Sequence, residues 1–169
     1  MMFDNSGGTV PTMNRETRIL RVLLVMFVAG LVLASGLLYL VSLASAVNFP
    51  ELAPVRLPVY VAVLVGLVPL VVAVKVVFDL LGVVDQGEAF SVRTVRLLRR
   101  LKVLFGITVA YLVLGLVGVS VAFGQTHPGI LLGWLAAEVV ALFLFTLAAL
   151  LEGLFAAALV LRQDNELTV

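Results

Sequence analysis

The sequence predicts an all-α membrane protein, a four-helix transmembrane bundle. Three observations predict it. Four long apolar runs, over 22–47, 59–84, 103–124 and 130–161, fill most of the 169 residues. Each is longer than the roughly 20 residues needed to cross a hydrocarbon core about 30 Å thick. The chain is 63% hydrophobic and 12% charged, against about 45–50% and about 25% for a soluble domain. The basic residues also gather between alternate pairs of runs rather than throughout. Residues 15–169 therefore read as one membrane domain, with no room for a soluble catalytic module. With no cysteine, disulfides, thiolate chemistry and cysteine metal sites are excluded.

The N-terminal 14 residues are rich in Gly, Ser, Thr and Asn and read as a disordered tail, with Met13 as an alternative start. The first run has no charge and 15 Leu, Ile, Val and Phe residues. At about −0.3 to −0.6 kcal/mol each it should insert readily. Ala44-Ser45-Ala46 resembles a signal-peptidase site. The apolar stretch before it is longer than the roughly 7–15 residues of a signal peptide core, so a retained span is the stronger reading. Pro50, Pro54 and Pro58 follow and predict an extended, stiff connection over 48–58.

The second run holds Lys75 and Asp79 near one end, where they can reach the interface. Gly87 then reads as a helix stop, Ser91 as an N-cap, and Phe90 as a staple partner for Val95. From Ser91 a helix should continue unbroken into the third run. Arg93, Arg96, Arg99 and Arg100 share one arc of it, and Leu97, Leu98, Leu101, Leu104 and Phe105 fill most of the rest. This is a basic amphipathic segment suited to anionic lipid head groups or an acidic cytosolic partner. Aromatic interleaving is absent, so direct nucleic-acid binding is not expected. Residues 125–129 form a tight turn containing His127, read as a solvated turn residue, and the third and fourth spans should be antiparallel neighbours.

Of the eleven Lys and Arg residues, all but Arg56 fall on one side if both termini share it. The positive-inside rule makes that side cytoplasmic. A faint duplication accompanies the pattern. Arg15, Arg18 and Arg21 repeat the spacing of Arg93, Arg96 and Arg99, and residues 83–92 align with 160–169. This suggests two parallel helical hairpins related by an axis along the membrane normal.

The segment Gln86-Gly87-Glu88-Ala89-Phe90-Ser91, with Val95, Leu98 and Leu101 behind it, is one half of a resemblance. The other half is the closing stretch Asp164-Asn165-Glu166-Leu167-Thr168-Val169. Together they resemble an uncharacterised bacterial family of small four-span membrane proteins, catalogued as a domain of unknown function. Members carry Gly-x-x-Phe-Ser before the third span and end in an acidic stretch followed by Leu-Thr-Val or Leu-Thr-Ile. The resemblance covers residues 59–169, the first span fitting only in position and character. It implies four helices in the bacterial inner membrane. Family genes often stand beside one for a small Cro-type helix-turn-helix regulator, which implies a partner or a regulatory circuit. It brings no catalytic residues and no cofactor.

Few residues are candidates for chemistry. Counting about 1.5 Å per residue puts Glu138 about 13 Å deep, near the midplane. An ionised carboxylate there is costly, so it is expected to be protonated or paired inside the bundle. Ser35, Tyr111 and Pro69 lie at a similar level, and Pro69 frees the carbonyl of Val65 as an acceptor. Glu138, Tyr111 and Ser35 are the candidate intramembrane polar site. Lys75 and Asp79, spaced i, i+4, with Glu152 on the fourth span, are the candidate ion-pair network, Glu152 joining them or the arginines. Trp134 reads as an interfacial anchor, and Gly115 with Gly118, and Gly129 with Gly133, as small-residue patches for close helix approach or a homo-oligomer. No zinc-protease, P-loop, nucleophile-elbow or EF-hand pattern is present. The expected protein is a non-enzymatic interaction or regulatory membrane protein, or a subunit of a larger membrane complex. The alternative is a small oligomeric transporter or channel using Glu138.

Overall fold

The computed structural model describes residues 13–48, 53–87, 90–123 and 128–166. They form α1 (Met13–Asn48), α2 (Ala53–Asp85), α3 (Val92–Phe123) and α4 (Pro128–Glu166). Each is long and apolar enough to cross a membrane. The 39 residues of α4 would rise about 58 Å, well beyond a hydrocarbon core of about 30 Å.

Helix ends follow local chemistry. Gly87 has φ +77° and donates its N–H to the Val84 carbonyl at 3.0 Å, stopping α2. Ser91 caps α3, its Oγ accepting the Thr94 N–H at 3.3 Å. Phe90 stacks on Phe155 of α4, with ring centroids 5.3 Å apart. Two boundaries depart from expectation. Met13 and Asn14 are helical, and the remainder of the expected disordered tail lies outside the described residues. The connection before α2 is shorter than the prolines imply, for Pro54 and Pro58 both lie within the helix. A proline in the first turn loses no helical bond, and one just beyond it frees a single carbonyl where interfacial water can satisfy it.

The helices pack as a row. Close backbone approaches among the described residues join α1 to α2, α2 to α3 and α3 to α4, and no other pair. All neighbours are antiparallel. Arg21 and Asp85 meet at one end of the α1–α2 pair, Tyr39 and Tyr60 at the other. A twofold relation between the hairpins would repeat the α2–α3 contact between α4 and α1. The row lacks that contact, so the two hairpins are present but do not close into a symmetric ring.

The sequence period explains the row. On α4, Trp134, Glu138, Ala141, Phe145, Ala148, Glu152 and Phe155 recur at alternating spacings of four and three. This is the seam of an antiparallel coiled-coil contact. On α3, Leu98, Leu101, Phe105, Thr108, Leu112 and Gly115 recur in the same way toward α4. A second α3 stripe, Leu97, Leu101, Leu104, Thr108 and Tyr111, serves α2. Leu101 and Thr108 lie on both stripes and are buried. The buried cluster of Ala73, Val76, Val83, Leu97, Leu98, Leu101 and Ala148 gathers at the basic end of the row. Helix α1 contributes only half-buried positions such as Leu24, Val28, Leu31 and Ser35.

Candidate functional site

In an apolar bundle the informative groups are those whose polar atoms must find partners or remain without them. Three structural arrangements hold the candidate polar and charged groups between the helices.

Toward the end opposite the arginine-rich one, two aromatic side chains lie against glycines. The Tyr111 ring occupies the space beside Gly66, where an added Cβ would come within 2.7 Å of Tyr111 Cε1. Its hydroxyl donates to the Ala62 carbonyl at 2.5 Å. The Trp134 indole lies beside Gly115 in the same manner and donates Nε1–H to the Leu112 carbonyl at 2.8 Å. Trp134 is thus a helix-to-helix tie as well as an aromatic at its level. Gly118 and Gly133 have open space where a side chain would go, and the described residues do not include the side-chain surroundings of Gly129. Gly66 had no signal in the sequence beyond lying one helical turn before Pro69.

Glu138 stands on the α4 seam, one turn from Trp134 and half-buried. Its Oε2 is buried and has no hydrogen-bond partner. The expected grouping with Ser35 and Tyr111 is not assembled. Helix α4 approaches α3 alone, Tyr111 turns its hydroxyl to α2, and Ser35 sits on α1. There Ser35 donates to the Val32 carbonyl at 2.8 Å, and its own carbonyl accepts the Tyr60 hydroxyl at 3.4 Å. The same geometry keeps Glu138 from the Val65 carbonyl that Pro69 frees on α2. Depth along the membrane normal placed these groups at one level, but lateral order separates them.

At the other end the charges sort by helix neighbour. Glu152 pairs with Lys102 and lies 4.0 Å from Arg99 Nε, so it meets the arginine-bearing helix. Arg21 binds Asp85 at 2.6 Å, tying the start of α1 to the end of α2. Lys75 and Asp79 form no ion pair with each other or with Glu152 among the described residues. The row accounts for their separation from Glu152, since α4 packs against α3 and not against α2. Instead Lys75 and Asp79 line a groove of about 520 Å³ between α2 and α3 with Arg96, Arg99 and Arg100. Arg93, Arg96, Arg99 and Arg100 are all exposed, while Leu97, Leu98 and Leu101 are buried behind them. The amphipathic reading of this segment therefore holds side chain by side chain. His127 and the tail 167–169 lie outside the described residues.

The arrangement offers no cluster of three His, Cys, Asp or Glu side chains able to hold a metal ion among the described residues. Comparison with known proteins agrees with a membrane protein. The chain is 29% identical over 126 residues to an uncharacterised membrane protein, YoaS, of Bacillus subtilis (strain 168), covering 74% of this chain and 79% of that protein. No solved structure matches. Residues 41–169 match the profile of a family described as protein of unknown function (DUF2975), which takes in the end of α1 with all of α2, α3 and α4. On that match, over the greater part of its length, the chain is a membrane protein belonging to the DUF2975 family.

Proposed function

We propose that this is a non-enzymatic interaction protein of the bacterial cytoplasmic membrane, with both termini in the cytoplasm and a basic platform that recruits an acidic cytosolic partner. One observation carries the reading: the first turns of α3 hold four exposed arginines on a rigid base. Arg93, Arg96, Arg99 and Arg100 face outward while Leu97, Leu98 and Leu101 are locked into the buried cluster. The Ser91 cap, the Phe90–Phe155 stack and the Lys102–Glu152 pair hold that base in place. Preorganised charge of one sign raises association rates and selects partners of the other sign.

The test is co-purification of the full chain from native membranes in mild detergent, with mass spectrometry of what comes with it. A soluble acidic partner should be recovered with the native chain and lost with Arg93→Gln/Arg96→Gln. Recovery of the same proteins by both would remove the platform reading.

A second reading rests on Glu138, whose buried Oε2 lacks a partner on the α3–α4 seam. In it the protein is an oligomeric carrier with Glu138 as the intramembrane group. Proton or cation flux into liposomes carrying the purified chain should then fall with Glu138→Gln, and flux unchanged by that substitution removes the reading.

A further inference from the structure

We infer that the groove between α2 and α3 is a binding site for one anionic phospholipid, its headgroup phosphate held by Lys75, Arg96 and Arg100 and its acyl chains laid along the apolar continuation of the same groove. This goes beyond the recruiting platform and does not require a soluble partner.

The charge of the lining comes first. Four cations, Lys75, Arg96, Arg99 and Arg100, face one carboxylate, Asp79. Arg99 has Glu152 within 4.0 Å, but among the described residues no carboxylate comes that close to Lys75, Arg96 or Arg100. Such a cluster, drawn from two helices and left with an excess of positive charge, selects an anion.

The polarity gradient selects the kind of anion. Helix α2 runs toward the basic end and α3 away from it, so on both walls the charges lie at the mouth and the valines deeper. On α2 the order from the mouth is Asp79, Lys75, Val72, Val68, Val65. On α3 it is Arg96, Arg100, Val103, Ile107, Leu114. Each stripe keeps the three- and four-residue spacing that holds one helix face, and Leu114 follows Ile107 by one heptad. Both change from charged to apolar at the same level. Val65, Val68, Val72, Val103, Ile107 and Leu114 are all exposed, while Val76 and Leu104 close the floor between the stripes. From Lys75 to Val65 the α2 wall rises about 15 Å, most of an acyl chain. A free phosphate would use only the mouth, and an acidic peptide would find no use for an apolar track directed into the bilayer. A diacyl phosphate lipid uses both. The excess of cations in the lining favours a phosphoglycerol headgroup, which keeps the lipid's net negative charge, over a zwitterionic choline one.

The experiment uses the purified full chain in mild detergent and reads bound lipid by native mass spectrometry. The probes are phosphatidylglycerol and phosphatidylcholine with the same acyl chains, and glycerol phosphate as competitor. Phosphatidylglycerol should be retained in preference to phosphatidylcholine, one molecule per chain. Lys75→Gln/Arg100→Gln should weaken it about thirtyfold, from about 1 kcal/mol for each basic group. Arg18→Gln/Arg93→Gln removes the same charge outside the groove and should leave retention within about twofold. Equal retention of the two lipids, or equal loss from the two variants, overturns the site in favour of a diffuse basic surface. Displacement of the lipid by millimolar glycerol phosphate overturns it in favour of a phosphate site. The partner recovery described above is a separate readout, so either proposal can fail without the other.

Discussion

Trp134 and Gly115 occupy one another's space. A methyl group on Gly115 would meet the indole Cζ2 at 2.6 Å, while the indole N–H is held on the Leu112 carbonyl three residues earlier. Neither residue can be changed alone without disturbing the α3–α4 seam. In lipid, where apolar side chains gain nothing from leaving water, such close fits supply much of the helix association.

Gly115→Ala should therefore destabilise the protein by about 1–3 kcal/mol, the usual cost of overpacking a fitted interface. Adding Trp134→Leu to it should recover part of that loss, although the indole hydrogen bond is gone. Unfolding midpoints of the three variants in one detergent decide the matter. A harmless Gly115→Ala would mean the indole is free to move aside.

The Tyr111 contact predicts an asymmetry. Tyr111→Phe removes only the hydrogen bond to Ala62, worth about 0.6 kcal/mol on average between membrane helices. Gly66→Ala places a carbon 2.7 Å from the ring and should cost more. The ranking of the two melting temperatures checks this, and the reverse order would show that the hydroxyl rather than the glycine seat holds α2 to α3.

Glu138 separates structural from functional roles. Because its Oε2 has no partner, Glu138→Leu should leave stability unchanged or raise it, as replacing buried polar groups by apolar ones often does. Chemical denaturation in mixed micelles would measure it. A loss of several kcal/mol would reveal a hydrogen bond across the seam that the structure does not contain.

The Lys102–Glu152 pair lies between helices and is only partly exposed, at 32% and 17% of the side chains. A double-mutant cycle with Lys102→Met and Glu152→Gln should give a coupling of about 1 kcal/mol. The same cycle on Lys75 and Asp79, which form no pair, should give a coupling near zero. Couplings of equal size would show that Lys75 and Asp79 pair along α2 after all.

Topology can be tested on a chain that has no cysteine of its own. A cysteine at position 56 should react with a membrane-impermeant maleimide on intact cells, and one at position 86 only after lysis. A reversed pattern would turn the orientation around, and labelling of both on intact cells would mean that α2 does not cross between them.

Hydropathy and charge order were enough to read four helices, the antiparallel pairing of the third and fourth across a short turn, and the amphipathic start of α3, because these depend on local period, short connections and a solvent with one axis. The Ser91 cap and the Gly87 stop were legible for the same reason: each is satisfied within four residues. Lateral arrangement was not legible. Depth along the helix put Ser35, Tyr111 and Glu138 at one level, and only tertiary packing revealed that they serve different helix pairs. The pairing of Glu152 with α3, the seat of Tyr111 on Gly66, and the groove joining Lys75 to Arg96 and Arg100 have the same origin. The bilayer constrains how deep each side chain lies but treats every direction within its plane alike. Which helix stands beside which is therefore decided by the fit of glycines, alanines and aromatic rings.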